Sequence, residues 1–168
     1  MNIPRVNVSL LFYIFCFAAF VIGCKSNVVR MKDESLTIAI LDINKDDSIT
    51  VEFKNNTGKI VRLWDYPNSW GWNNWRILVI RDSVTFFIQR NPNEGFTMNV
   101  PTYISLPSRE KRAEVLTINN GDWRCGNDKE FHFLKYDEII VVYNVMETPE
   151  SRKLDVWVGT IVAFFKYK

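Results

Sequence analysis

The sequence predicts an all-β fold, an antiparallel sandwich of short strands. Two observations carry this. After residue 34, apolar and polar residues alternate with a period of two over most of the chain, and helical periodicity is scarce. The alternating runs are separated by clusters of Asn, Asp, Gly and Pro, the residues that turn a chain. A length of 168 residues, 47% hydrophobic and 24% charged, suits one globular domain that buries its own core. Together the 12 Phe and 6 Trp supply much of the packing area.

The first segment is not part of that fold. Residues 1–9 hold Arg5 and no acid, and residues 10–22 form an unbroken apolar run. Thirteen residues fit the apolar stretch of a signal peptide and fall short of the roughly 20 needed to span a bilayer. The run ends in Val21-Ile22-Gly23-Cys24. This resembles the lipobox of bacterial lipoproteins, in which aliphatic and small residues precede a Cys. Gly23 offers no side chain to obstruct a peptidase, and the Cys24 thiolate is the nucleophile that takes up lipid. The resemblance implies that residues 1–23 are a lipoprotein signal peptide and that Cys24 carries the anchor. A second acyl chain, palmitate for example, makes such anchoring stable. Residues 24–34 read as the lipidated Cys and a polar tether, and residues 35–168 as the single β-sandwich domain.

Strands are predicted at residues 36–42 and 49–53, then, after the Asn55-Asn56-Thr57-Gly58 turn, at 59–64. Residues 75–81 and 84–90 read as a hairpin through Asp82-Ser83, and Asn91-Pro92-Asn93-Glu94-Gly95 as a turn. Residues 111–118 read as a strand; Glu110 to Leu116 scores as helix on propensity, but alternation favours the strand. Asn119-Asn120-Gly121-Asp122 is the next turn. Further strands are expected at 131–135, 138–145 and 154–167, the last broken near Gly159.

Two stretches resemble a known family. Val51 to Ile60, a strand, an Asn-x-Thr-Gly turn and a strand, is similar to the opening of secreted immunoglobulin-like domains. Ser105-Leu106-Pro107-Ser108-Arg109-Glu110, leading to Trp123, resembles a Leu-x-Pro-Gly-Glu loop found in sandwiches of the intracellular proteinase inhibitor (BsuPI-like) type. Ser108 then stands at the Gly position, with Arg109 inserted before Glu110. Val156-Trp157-Val158-Gly159 fits the same style. The resemblance implies an immunoglobulin-like sandwich and carries no implication of protease inhibition.

Function is less legible. Basic and acidic residues are interspersed and the net charge is +2, which excludes the concentrated positive footprint that nucleic acid requires. Four of the six Trp fall between Trp64 and Trp75. One reading is a sugar- or peptide-contacting platform with Tyr66, Trp70 and Trp72 as contacts, presented by the freedom of Gly71. The other is a connection stapled over the sandwich by its own aromatics, with Trp64 and Trp75 as core. Asp42 to Ile49 resembles the start of a calcium loop, but Asp47 and Phe53 stand where Gly and Glu should be, which favours a plain acidic turn. His132 is the only histidine, so no triad or multi-histidine metal site is assigned. Cys125, beside Arg124, is the one thiol left after Cys24, and reads as a buried or incidental cysteine.

No catalytic residue, metal ligand or cofactor is assigned, and the chain is expected not to be an enzyme. The expected function is that of a lipid-anchored binding or interaction module of the bacterial cell envelope, attached to a membrane and facing the periplasm or the surface. An envelope protein or a glycan is the expected partner. The alternatives are an assembly subunit of an envelope complex and a small carboxylate-based hydrolase.

Overall fold

The computed structural model describes residues 34–66, 68–91, 100–119, 121–126 and 131–168. The expected signal peptide, Cys24 and nearly all of the tether lie outside the described residues, as does most of the turn after Asn91. The described chain is an all-β antiparallel sandwich. Its strands are β1 (Leu36–Ile43), β2 (Ser48–Asn55), β3 (Val61–Trp64), β4 (Trp75–Arg81), β5 (Val84–Arg90), β6 (Tyr103–Leu106), β7 (Lys111–Thr117), β8 (Trp123–Cys125), β9 (Glu138–Val145) and β10 (Gly159–Lys166). Two short helices, α1 (Ser69–Trp72) and α2 (Pro149–Leu154), interrupt them. No helix among the described residues is long and apolar enough to cross a membrane.

One sheet has the order β1-β2-β7, a second β10-β9-β4-β5-β8, and β3 pairs with β6. Three strands against β10-β9-β4-β5 reproduce the A-B-E and G-F-C-C′ order of an immunoglobulin sandwich. Alternation decides which side chains meet between the sheets. Ile49, Val51 and Phe53 of β2 point inward, as do Trp75, Ile77 and Val79 of β4 and Ile139, Val141 and Tyr143 of β9. Phe53 sits at the centre, its ring 5.5 Å from Trp75 and 5.0 Å from Tyr143. Burial pushes the Tyr143 hydroxyl well above the ordinary phenol range.

The hairpin β4–β5 forms at the predicted residues, with Asp82 and Ser83 at φ +48° and +66°, the left-handed pair of a two-residue turn. The β2–β3 turn works differently from the expectation. Neither Asn56 nor Gly58 is left-handed, and the buried Asn55 side chain makes the turn instead. Its Oδ1 accepts from the Thr57 amide at 2.9 Å, while its Nδ2 donates to the carbonyls of Lys59, Leu106 and Pro107 at 2.7, 3.0 and 2.9 Å. One asparagine thereby ties β2–β3 to β6–β7. In the latter loop the left-handed residue is Arg109, at φ +63°, so Arg109 itself stands at the turn position that favours Gly.

Two expected strands are corrected. Residues 131–135 form no ladder, because side chains take their amides: Asn119 Oδ1 accepts from Phe131, Asp47 Oδ1 from Phe133 and Asp137 Oδ2 from Leu134, at 3.0, 3.0 and 2.9 Å. Residues 154–158 are not strand either. Thr148 caps α2, with Pro149 at its first turn and Ser151 completing a capping box, and left-handed Asp155 ends it. Strand β10 starts only at Gly159, whose φ is +150° and where a Cβ would lie 2.9 Å from the Trp157 ring. The short strands β6 and β8 were not predicted.

Candidate functional site

Three strands facing five leave part of the larger sheet's inner face without a partner sheet. At the β5–β8 end that face carries Arg90 and Trp123, paired across the strands. The segment between β3 and β4 covers it. Asn68 caps α1 by accepting from the Trp70 amide at 3.0 Å, and its Nδ2 donates to the Val100 carbonyl and Thr102 Oγ1 at 3.0 and 3.1 Å. Asn74 returns a bond from Nδ2 to the Trp70 carbonyl at 3.0 Å. Gly71 is needed for close approach rather than for freedom: a Cβ there would lie 2.2 Å from the Asp65 carbonyl oxygen.

So folded, the loop places its aromatics unequally. Trp64 and Trp75 are core, at 4% and 2% exposure. Trp72 is also buried, at 8%, with Nε1 donating to the Asn91 carbonyl at 3.1 Å. Its ring face is taken by the Arg90 guanidinium at 3.7 Å, with Tyr66 and Trp123 closing the box at 4.2 and 4.7 Å. Arg90 is itself buried. Among the described residues its nitrogens have no hydrogen-bond acceptor, and the nearest carboxylate oxygen, on Asp122, lies at 3.5 Å. Burial lowers the Arg90 pKa and raises that of Tyr66. This box is a cation held by ring faces, with Trp72, Trp123 and Arg90 buried.

Trp70 is placed differently. Half-buried, it packs on Trp64 with centroids 5.3 Å apart and turns toward solvent. There it forms one wall of a groove of about 420 Å³. Val100 and Pro101 form the second wall, and Pro149 and Leu154 of α2 the third, with Glu150 and Lys153 also lining it. Arg62 holds α2 in position by donating to the Leu154 carbonyl at 2.7 Å. Of the three aromatics proposed from sequence, only Trp70 reaches the groove. The α2 wall was missed, although Thr148-Pro149-Glu150-Ser151 is a helix-start signal.

The remaining candidates are structural in their surroundings. The acidic segment 44–47 is the β1–β2 turn, closed by Asp47 N to the Asn44 carbonyl at 3.0 Å. Asp47 Oδ2 meets His132 Nδ1 at 2.6 Å, joining that turn to residues 131–133. Cys125 is buried on β8. Asp137 is buried and takes a two-pronged bond from Arg81, at 2.8 and 2.7 Å. Burial opposes its ionisation, but the bonds from Arg81 and the Leu134 amide hold its pKa below the ordinary carboxylate range. Comparison with protein families, with curated proteins and with solved structures returned no match.

Proposed function

We propose that this chain is a lipid-anchored binding module of a bacterial cell envelope, and that the groove beside Trp70 takes a short apolar peptide segment of an envelope protein. The observation that carries the anchor is the order of parts in the sequence. An apolar run ends in Val21-Ile22-Gly23-Cys24, a short polar stretch follows, and the sandwich begins at β1. The groove supports the binding half. Its lining is one indole, two prolines, Val100 and Leu154, with Glu150 and Lys153 as the charged side chains. A glycan would need a partner for each of several hydroxyls, and this lining supplies few. Flat aromatic and proline surfaces instead suit an extended apolar or proline-rich segment. A two-carboxylate hydrolase would need a second acid beside Glu150, and the described residues of the lining supply none.

The anchor is tested by growing cells with labelled palmitate. The parent chain should take up label and Cys24→Ser should not; equal labelling of both sinks the anchor. The groove is tested by titrating the full chain with proline-containing peptides and with glycan oligomers while following tryptophan fluorescence. Peptide binding that Leu154→Asp abolishes supports the reading, whereas binding of glycans alone overturns it.

A further inference from the structure

Residues 131–135 form a strap over the larger sheet's inner face, toward the end of β5 away from Arg90. Phe86 lies on that face, paired with buried Val79. The Phe131 ring covers it with centroids 5.7 Å apart, and buried Phe133 packs on Phe131 at 5.4 Å. With no ladder to hold the strap, charged side chains fasten it. Asp137 accepts from the Leu134 amide, and its partner Arg81 also donates to the His132 carbonyl at 2.8 Å. Asp47, on the β1–β2 turn, supplies the other fastening. Its Oδ1 accepts from the Phe133 amide at 3.0 Å, and its Oδ2 meets His132 Nδ1 at 2.6 Å.

We propose that His132 makes this strap a pH-sensitive latch, drawn onto Asp47 when the imidazole takes up a proton and slackened when it gives the proton up. Histidine is the side chain whose charge ordinarily changes between about pH 5 and 8, while carboxylates stay charged over that range. The two partners are placed for this. His132 is 67% exposed and exchanges protons with solvent, whereas Asp47 is 16% exposed and fixed by its turn. That turn is closed by the Asp47 amide on the Asn44 carbonyl, with Asp47 itself left-handed at φ +61°. A neutral imidazole can still donate through Nδ1–H. The proton adds charge, and a charge-assisted bond is roughly twice as strong as a neutral one.

The other charges nearby are matched elsewhere or stand apart. On the turn, Asp46 accepts from Ser48 Oγ at 2.7 Å, and Lys45 is exposed. Arg81, with Asp82 beside it, would oppose a charge on His132, but Asp137 takes its guanidinium in two bonds. On the strap, Lys135 stands over the Tyr136 ring at 4.9 Å. Asp128, Lys129 and Glu130, which precede the strap, lie outside the described residues. The sign follows from Asp47. The fastened strap binds the proton more tightly than the released one, so its stabilisation is fully present below about pH 6.5 and is lost as pH rises through the fastened value. Because His132 is exposed, the proton shifts the fastening by at most about fivefold.

His132 is the only histidine, so its ring resonance in the full chain reports a single titration. Its midpoint should lie above about 6.5 and should fall toward that value in Asp47→Asn. Asparagine keeps an acceptor for the Phe133 amide and tolerates the left-handed turn, so this variant removes the charge and spares the fold. Hydrogen exchange at the Phe133 amide, corrected for its intrinsic rate, should be about two- to fivefold slower near pH 5.5 than near pH 8 in the parent. His132→Gln changes an exposed side chain and should abolish that difference. The proposal is overturned if Asp47→Asn leaves the midpoint where it was, or if Phe133 is equally protected at both pH values. It is equally overturned if the difference persists in His132→Gln.

Discussion

The Trp-rich loop and the outer face of the larger sheet hold aromatic side chains in opposite ways. Between Trp64 and Trp75 four indoles are crowded into twelve residues, yet three are buried and the face of Trp72 is occupied by Arg90. On the outer face Phe87 and Phe164 are far apart in sequence, and they are among the most exposed apolar residues described. A local cluster of aromatics marks surface that must be covered, here the end of a five-stranded sheet facing only three strands. Aromatics whose parity turns them away from the core mark surface left open. Density along the chain and exposure in space are set by different causes.

The comparison breaks first at Trp75. Its ring packs on Phe53, Tyr66 and Tyr143 at 5.5, 6.4 and 4.8 Å. Trp75→Ala should cost about 3–5 kcal/mol, measured by urea denaturation. A cost under about 1 kcal/mol would show that the loop does not share the core. Trp72→Ala should follow at about 2–4 kcal/mol, and half-buried Trp70→Ala at about 1 kcal/mol. Arg90→Met sharpens the point. Methionine fills the box without a desolvated cation, so stability should stay level or rise by about 1 kcal/mol. A loss above about 2 kcal/mol would mean that the three ring faces hold the cation more strongly than its burial penalises it.

Asp137 gives an effect of intermediate size at the other end of the sandwich. Its pKa is depressed in the folded chain, so its contribution is fully present above the unfolded value of about 3.9. It is lost as pH falls through the folded value. Asp137→Asn should cost about 2 kcal/mol at neutral pH, less than a fully buried pair because Arg81 is partly exposed. The gap between variant and parent should then close below about pH 4. A gap that is constant down to pH 2 would show that the carboxylate charge contributes nothing.

How much of this was legible follows from what period-two reading detects. Strands β4, β5 and β9 were readable to the residue, because each is a run of seven or eight β-forming residues inside the sheet, and β4 and β5 meet at the Asp82-Ser83 turn. Residues 131–135 looked alike but form no ladder, since Asn119 and Asp47 bond the amides of Phe131 and Phe133 from 12 and 86 residues away, and no local pattern encodes that. Strands β6 and β8 are four and three residues long, too short to show a period. Of the groove, Trp70 was readable as a candidate and α2 was readable from Thr148-Pro149, but their meeting depends on Arg62 reaching Leu154 across 92 residues. The row of Phe87, Leu78, Ile140 and Phe164 on the outer face was invisible for the same reason. Alternation identifies Phe87 and Phe164 as outward, and only the register across four strands lines them up.

The smallest expected effect is therefore the most discriminating. Phe87→Ser and Phe164→Ser each remove a large apolar side chain from strand positions flanked by core residues, Ile88 on β5 and Ala163 on β10. Were these rings packed like Trp75, each change would cost several kcal/mol. Their exposure of 63% and 74% instead leaves little buried area to lose. Each should change stability by less than about 0.5 kcal/mol. Serine lowers strand propensity slightly relative to Phe, so a residual cost of a few tenths of a kcal/mol is the expected sign. A cost above about 2 kcal/mol in dilute solution would place the rings in the monomer's own core and remove the contrast between the two regions.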